Sequence, residues 1–157
     1  GYTITSTCTA VKNPDSTKFV YRDRLWAGAD MVSLGVASFG HLGGIHYQNL
    51  THIDQYCTAI EKGESTVRRA LMTTDEERFL RELILQWKLG RVRPNYFKEK
   101  FGVDLSERYG EILKQWKEEG DLVESGEELS LTREALLRVD SMLHQLFLPQ
   151  HQDARYV

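Results

Sequence analysis

The spacing of apolar and polar positions changes character near residue 50. Before it, "YTITSTCTAV" (2–11) and "MVSLGVASFG" (31–40) are rich in β-branched residues and glycine, and "KNPDSTK" between them carries turn-forming residues. The pattern predicts two strands joined by about twenty residues. Met31, Val32, Leu34 and Val36 are apolar on near-successive positions. That suits a strand covered on both faces, as in a parallel α/β sheet, since a half-wet antiparallel strand alternates more strictly.

After residue 50 the period is helical. "THIDQYCTAIEKGE" predicts a helix capped by Thr51 or Asp54 and ended by Gly63, with Ile53, Tyr56, Cys57 and Ile60 on one face. In "TTDEERFLRELILQWKLGRV", Thr74 caps, Glu77 stands three residues on as a capping-box partner, and Phe79, Leu80, Leu83, Ile84 and Trp87 form a stripe ended by Gly90. Pro94 opens a short helix stopped by Gly102, and another runs from a cap at Asp104 or Ser106 to Gly120. "DLVES" and "ELSLT" flank Gly126 as a hairpin, and "TREALLRVDSMLHQLF" closes as an amphipathic helix. Helix, short helix, helix, hairpin, helix is the order of a winged helix-turn-helix. Trp87 and Trp116 lie at core spacing and read as packing residues.

Composition narrows the function classes. With 157 residues, 41% of them hydrophobic, the chain is long enough for one domain, or for a small domain plus a piece of another. No apolar run approaches the roughly 18 residues of a membrane span, and the N-terminus lacks a signal-peptide pattern, so a cytoplasmic location is expected. Cys8 and Cys57 are far apart and outside any metal-knuckle spacing, and are expected to be buried thiols. The net charge of −3 offers no broad footprint for phosphate backbones. The candidate recognition helix sets Arg108, Lys114 and Lys117 against Asp104, Glu107, Glu111, Glu118 and Glu119, and the hairpin adds Asp121, Glu124, Glu127 and Glu128. An acidic reading head repels DNA, so the unit reads as a helical cap packed on a neighbouring domain, with no nucleic-acid partner.

The remaining candidate chemistry is "SLGVASFGHLGGIHYQN" (33–49), an apolar run followed by glycines with no acid, nucleophile or metal cluster behind it. Glycine and alanine at a strand end let a backbone approach a ligand without a Cβ in the way. The same glycines also serve simply to turn a corner. Both readings stay open on the residues alone.

Taken in order, "ADMVSLGVASFG", "HYQN", "ALMTTDEERFLRELILQWKLG", "FKEKFGVDL", "LKQWKEEGDLVE" and "LSLTREA" resemble the carboxy-terminal part of oxygen-independent coproporphyrinogen III oxidases and their heme-handling relatives, which are radical S-adenosylmethionine (SAM) enzymes. The resemblance implies an α+β chain: residues 1–50 as closing strands of a partial α/β barrel, 51–66 as connecting helix and linker, 67–148 as a winged helix-turn-helix cap, and 149–157 as a tail. It implies that Gly35, Val36, Ala37, Ser38 and Phe39 lie along SAM, chiefly through backbone groups, because ligands of such barrels sit at the carboxyl ends of the strands. His41 and His46 read first as loop residues, and then as weaker candidates for contact with a substrate propionate.

The implied activity of a full-length parent is oxidative decarboxylation of coproporphyrinogen III propionates to vinyls, by a radical made from SAM at a 4Fe-4S cluster, with a tetrapyrrole substrate and an electron donor as partners. The cluster needs cysteines spaced C-x-x-x-C-x-x-C, which this sequence lacks. No catalytic or metal-binding residue is therefore assigned here. Because the chain opens at Gly1 and Tyr2 in strand-like sequence, it is expected to be a fragment, inactive alone and without bound cofactor. Unpaired sheet edges would then permit an edge-strand dimer. A heme chaperone or heme-utilisation relative, and a non-catalytic winged-helix interaction module, are the alternative readings.

Overall fold

The computed structural model describes residues 1–151, so residues 152–157, the end of the expected tail, lie outside the described residues. The chain forms two compact units. One joins Gly1–Ala27 to the chain from Phe79 onward, and the other is Gly28–Arg78.

The predicted strand over 2–11 is instead a hairpin, β1 (Thr3–Ser6) and β2 (Thr9–Val11), paired antiparallel around a turn at Thr7 and Cys8. The hairpin is anchored at its tip, where the Thr7 N–H donates to the Lys88 carbonyl at 2.9 Å. The stretch expected to be a simple connection contains α1 (Val20–Trp26). None of its residues is buried, so no apolar stripe announces it. It is held instead by Arg22, whose guanidinium donates to Ser6 Oγ at 3.0 Å and Thr9 Oγ1 at 2.7 Å.

In the second unit, β3 (Phe39–Leu42) and β4 (Ile45–Asn49) form a hairpin, α2 (Ile53–Lys62) follows, and β5 (Val67–Met72) adds to β4, giving the order β3-β4-β5. Every pairing is antiparallel, which corrects the parallel-sheet expectation. The cause is local: Gly43 and Gly44 both take positive φ, +57° and +81°, the two-residue turn that folds a strand straight back on itself. The strand expected over 31–40 is also corrected. Residues 32–38 are irregular, and Met31 makes only an isolated bridge to His41. Left-handed backbone at Gly35 (φ +98°) and Ala37 (φ +60°) ends any extended run, and Val32 and Leu34 are 64% and 84% exposed rather than covered on both faces. Neither Thr51 nor Asp54 caps α2, whose first boundary is His52 without a side-chain cap, whereas Gly63 ends it in the left-handed conformation as expected. Cys8 and Cys57 are exposed, not buried: one sits in the hairpin turn, the other on the outer face of α2, of which only Ala59 is buried.

The helices that follow match their sequence signals closely. Helix α3 (Asp75–Lys88) opens with the capping box: Thr74 N–H donates to Glu77 Oε2 at 2.8 Å, and Glu77 N–H donates back to Thr74 Oγ1 at 3.2 Å. Helix α4 (Pro94–Phe101) starts on proline and stops at left-handed Gly102. Helix α5 (Leu105–Glu118) is capped by Asp104, which accepts from the N–H groups of Ser106 and Glu107. Strands β6 (Arg91–Val92), β7 (Leu122–Ser125) and β8 (Glu128–Leu131) pair in the order β6-β8-β7. The expected last helix is interrupted at Arg138 (φ −117°, ψ 12°), leaving α6 (Arg133–Leu137), α7 (Val139–Leu143) and a 3-10 turn at His144–Leu146.

Phe79, Leu83, Trp87, Phe97, Leu105, Trp116, Val139 and Leu143 are fully buried together, with the Trp87 and Trp116 rings edge to face at 5.5 Å. Each such side chain stabilises the fold by about 1.5–3 kcal/mol relative to exposure. Glu82 is buried beside them and is matched rather than stranded: Tyr96 Oη donates to it at 2.7 Å and Lys100 Nζ at 2.8 and 3.0 Å.

Candidate functional site

Residues 33–38 fold into a tight loop whose peptide groups are gripped by the strand that follows. Asn49, 2% exposed, donates from Nδ2 to the Gly35 carbonyl at 3.0 Å and the Ser33 carbonyl at 3.4 Å, and its own N–H donates to the Ser38 carbonyl at 3.0 Å. Thr66 Oγ1 donates to Asn49 Oδ1 at 3.4 Å, which fixes the direction of the amide. Gln48 Nε2 donates to the Ala37 carbonyl at 3.2 Å, while its Oε1 accepts from Arg69 Nε at 2.8 Å. The Ala37 N–H donates to the Leu50 carbonyl, and Ser38 Oγ donates to the Leu34 carbonyl. Two phenols complete the frame: Tyr47 Oη accepts from the Ser33 N–H at 3.0 Å and Tyr56 Oη from the Gly35 N–H at 2.9 Å. Ser33, through its hydroxyl first and its amide second, holds the Tyr47 phenol below its usual range, against the smaller opposing effect of burial.

The five residues singled out on the sequence therefore do not share one conformation. Gly35 through Ser38 form the loop, and Phe39 opens β3. Among the described residues no hydrogen bond engages the N–H or C=O of Val36 or the N–H of Ser38. The glycines have separate tasks. Gly35 is needed for its φ of +98°, whereas Gly40 is needed for space, because a Cβ there would lie 2.2 Å from Cζ of Tyr47.

His41 and His46 lie opposite each other on β3 and β4, with ring centroids 6.1 Å apart, and the Phe39 ring stacks on His46 at 5.8 Å. The pleat puts these three rings on one face of the sheet. On the other face, Ser33, Leu42, Ile45, Tyr47, Asn49, Thr66, Val67 and Ala70 line an open hollow of about 350 Å³. The two histidines thus do not join the loop and hollow in one site. Of the side chains that hold the loop, Tyr47, Gln48 and Asn49 enter the sequence reading only within the "HYQN" run, and Tyr56 only as an apolar-face position of the following helix.

The loop suits a ligand met by main-chain groups: the Val36 N–H and C=O and the Ser38 N–H are not engaged among the described residues, and Asn49, Gln48, Tyr47 and Tyr56 are committed to holding the backbone in place. An iron–sulfur cluster does not fit this chain. Among the described residues no group of three or more His, Cys, Asp or Glu side chains could hold a metal ion, and Cys8 and Cys57 are exposed on separate elements. Among the described residues, too, no helix is long and apolar enough to cross a membrane.

No protein-family model matches the chain. Over 134 residues, 81% of the chain, it is 25% identical to an oxygen-independent coproporphyrinogen III oxidase of Pseudomonas aeruginosa, of which the match covers 29%. Its fold matches that of a coproporphyrinogen III oxidase from Escherichia coli, described as a radical SAM enzyme, with a TM-score of 0.67 at 15% identity, over 91% of this chain and 36% of that one. The chain spans about a third of the length of these relatives, and over that part it is distantly related in sequence and alike in fold.

Proposed function

We propose that this chain is the part of a coproporphyrinogen III oxidase-like radical SAM protein that carries one wall of the SAM site and a winged-helix domain. The observation that carries the reading is the loop at 33–38, a glycine-marked strand approach whose Val36 and Ser38 N–H groups are not engaged among the described residues, lying inside the region matched to coproporphyrinogen III oxidases. In this reading the Val36 and Ser38 amides and the Val36 carbonyl meet polar groups of SAM. Gly35 keeps the approach clear, and Asn49 and Gln48 hold the loop at a fixed height. SAM, when bound, supplies the hydrogen-abstracting species for propionate oxidation of a tetrapyrrole. Helices α3 to α5 with the β6-β8-β7 sheet form the winged-helix part, which in this reading does not read DNA. Lys117 is already paired with Glu124 and Lys114 lies 3.9 Å from Glu118, so acids offset both lysines at the surface of α5.

The cluster cysteines and the electron-donor contact belong in this reading to a preceding segment of the same polypeptide. The test is SAM binding by an intact protein that carries this chain, reconstituted anaerobically with iron and sulfide. Asn49→Ala is expected to weaken SAM binding while the cluster absorption stays unchanged, and porphyrinogen decarboxylation is expected to fall with it. An intact protein that assembles no cluster, or that binds SAM equally well with Asn49→Ala, overturns the assignment. The 157-residue chain alone is expected to show neither cluster absorption nor turnover.

A further inference from the structure

We propose that His41 and His46 form a two-imidazole site for a late first-row divalent metal ion, copper(II) above zinc(II) or nickel(II). They are in register as direct partners across β3 and β4. Both peptide groups of His41 are used on its other side, where its N–H donates to the Met31 carbonyl at 2.8 Å and its carbonyl accepts from the Met31 N–H at 2.6 Å. The pair is consequently of the non-hydrogen-bonded kind, in which opposed side chains come closest.

The spacing suits one shared ion. A metal about 2.1 Å from a nitrogen of each ring places the ring centroids between roughly 5 Å, for a tetrahedral angle, and 6.4 Å, for an opposed pair. The observed 6.1 Å, with planes tilted by 46°, lies inside that range. Both rings are also restrained before any ion arrives. His41 is 7% exposed, and His46 is stacked under Phe39 with planes 15° apart. Restraint of this kind lowers the cost of ordering the ligands on binding. The cation on the same face, Arg69, donates to Gln48 Oε1 and so has an anchor of its own. Among the described residues no third His, Cys, Asp or Glu converges on the pair, so the protein would supply two ligands to the ion. Neutral imidazole donors with open positions favour copper(II) over its neighbours in the series.

The experiment is titration of the 157-residue chain with copper(II) and zinc(II) chlorides in a non-coordinating buffer, followed by calorimetry and, for copper, electron paramagnetic resonance. A single saturable site with nitrogen hyperfine structure from two imidazoles is expected. His41→Gln and His46→Gln should each weaken it by roughly tenfold or more. His52→Gln and His144→Gln, on exposed positions elsewhere, should leave it unchanged. Should the His41 variant fail to fold, zinc-induced shifts of the imidazole nitrogens in the unaltered chain decide the matter, since only His41 and His46 should move. No saturable binding, equal losses with the His52 variant, or shifts at other histidines alone overturn the site.

Discussion

A Cβ on Gly40 would sit 2.2 Å from Cζ and 2.5 Å from Oη of Tyr47, the phenol that accepts from the Ser33 amide. Gly40→Ala therefore has to displace the ring and break that hydrogen bond, an overpacking cost of about 1–3 kcal/mol. Placed in a Tyr47→Ala background the same change should cost far less, because its obstacle is gone; a double-mutant cycle in urea measures the coupling. Ala37 is the opposite case. At φ +60° an alanine carries left-handed strain of about 1–2 kcal/mol, partly offset in any glycine variant by the looser unfolded chain. Ala37→Gly is thus expected to stabilise the second unit by about 0.5 kcal/mol, read from hydrogen exchange in residues 33–50. A destabilised Ala37→Gly protein would mean that the Cβ makes a contact worth more than the strain.

Helix α5 shows how one residue links an element to pH. Asp104 accepts from the amides of Ser106 and Glu107 and from Lys98 Nζ at 3.0 Å. The Lys98 hydrogen bond first, then the two amides, lower its pKa in the folded state. Its contribution is therefore present above the unfolded value of about 3.9 and is lost as pH falls through the lower folded value. Asp104→Asn keeps a good cap but removes the titration, so its stability should flatten across that acid window where the unaltered protein declines. Lys98, raised chiefly by its hydrogen bond to Asp104, contributes below about 10.4 and loses that contribution as pH climbs through its folded value, so Lys98→Met should flatten the alkaline limb. Urea midpoints across pH check both.

The same helix marks what could be read in advance. Asp104, the Thr74–Glu77 box, Gly63 and Gly102 act on backbone within one turn, so their residue types announce them. Helix α1 lacks a buried face, β5 is exposed at all six positions, and the loop at 33–38 is shaped by Asn49, Tyr47 and Tyr56 from 14 to 21 residues away. No local pattern encodes such contacts. The glycine-marked stretch stands out in the sequence, but its conformation and the side chains that hold it do not.

The two units rest on different physics, and this sets how the molecule should come apart. The fully apolar core lies almost wholly in the first unit, from Phe79 to Leu146, whereas Ala59 is the second unit's sole buried apolar residue among those described. Its place is taken by polar groups: Gln48 and Asn49 are buried, and their hydrogen bonds tie the loop to the sheet. Hydrogen bonds contribute about 0.5–1.5 kcal/mol each, against about 1.5–3 for a buried large side chain. The second unit should therefore open at lower free energy than the first, as a separate cooperative step. Trp26, Trp87 and Trp116 all belong to the first unit, so tryptophan fluorescence in urea follows that unit alone. Amides of β3, β4 and α2 should exchange at denaturant concentrations where the fluorescence is still native. Asn49→Ala, which strands two loop carbonyls, should lower their protection by about 1–3 kcal/mol and leave the fluorescence midpoint where it was. Coincident exchange and fluorescence transitions, shifting together in the variant, would mean that the sheet unit borrows its stability from the helical core.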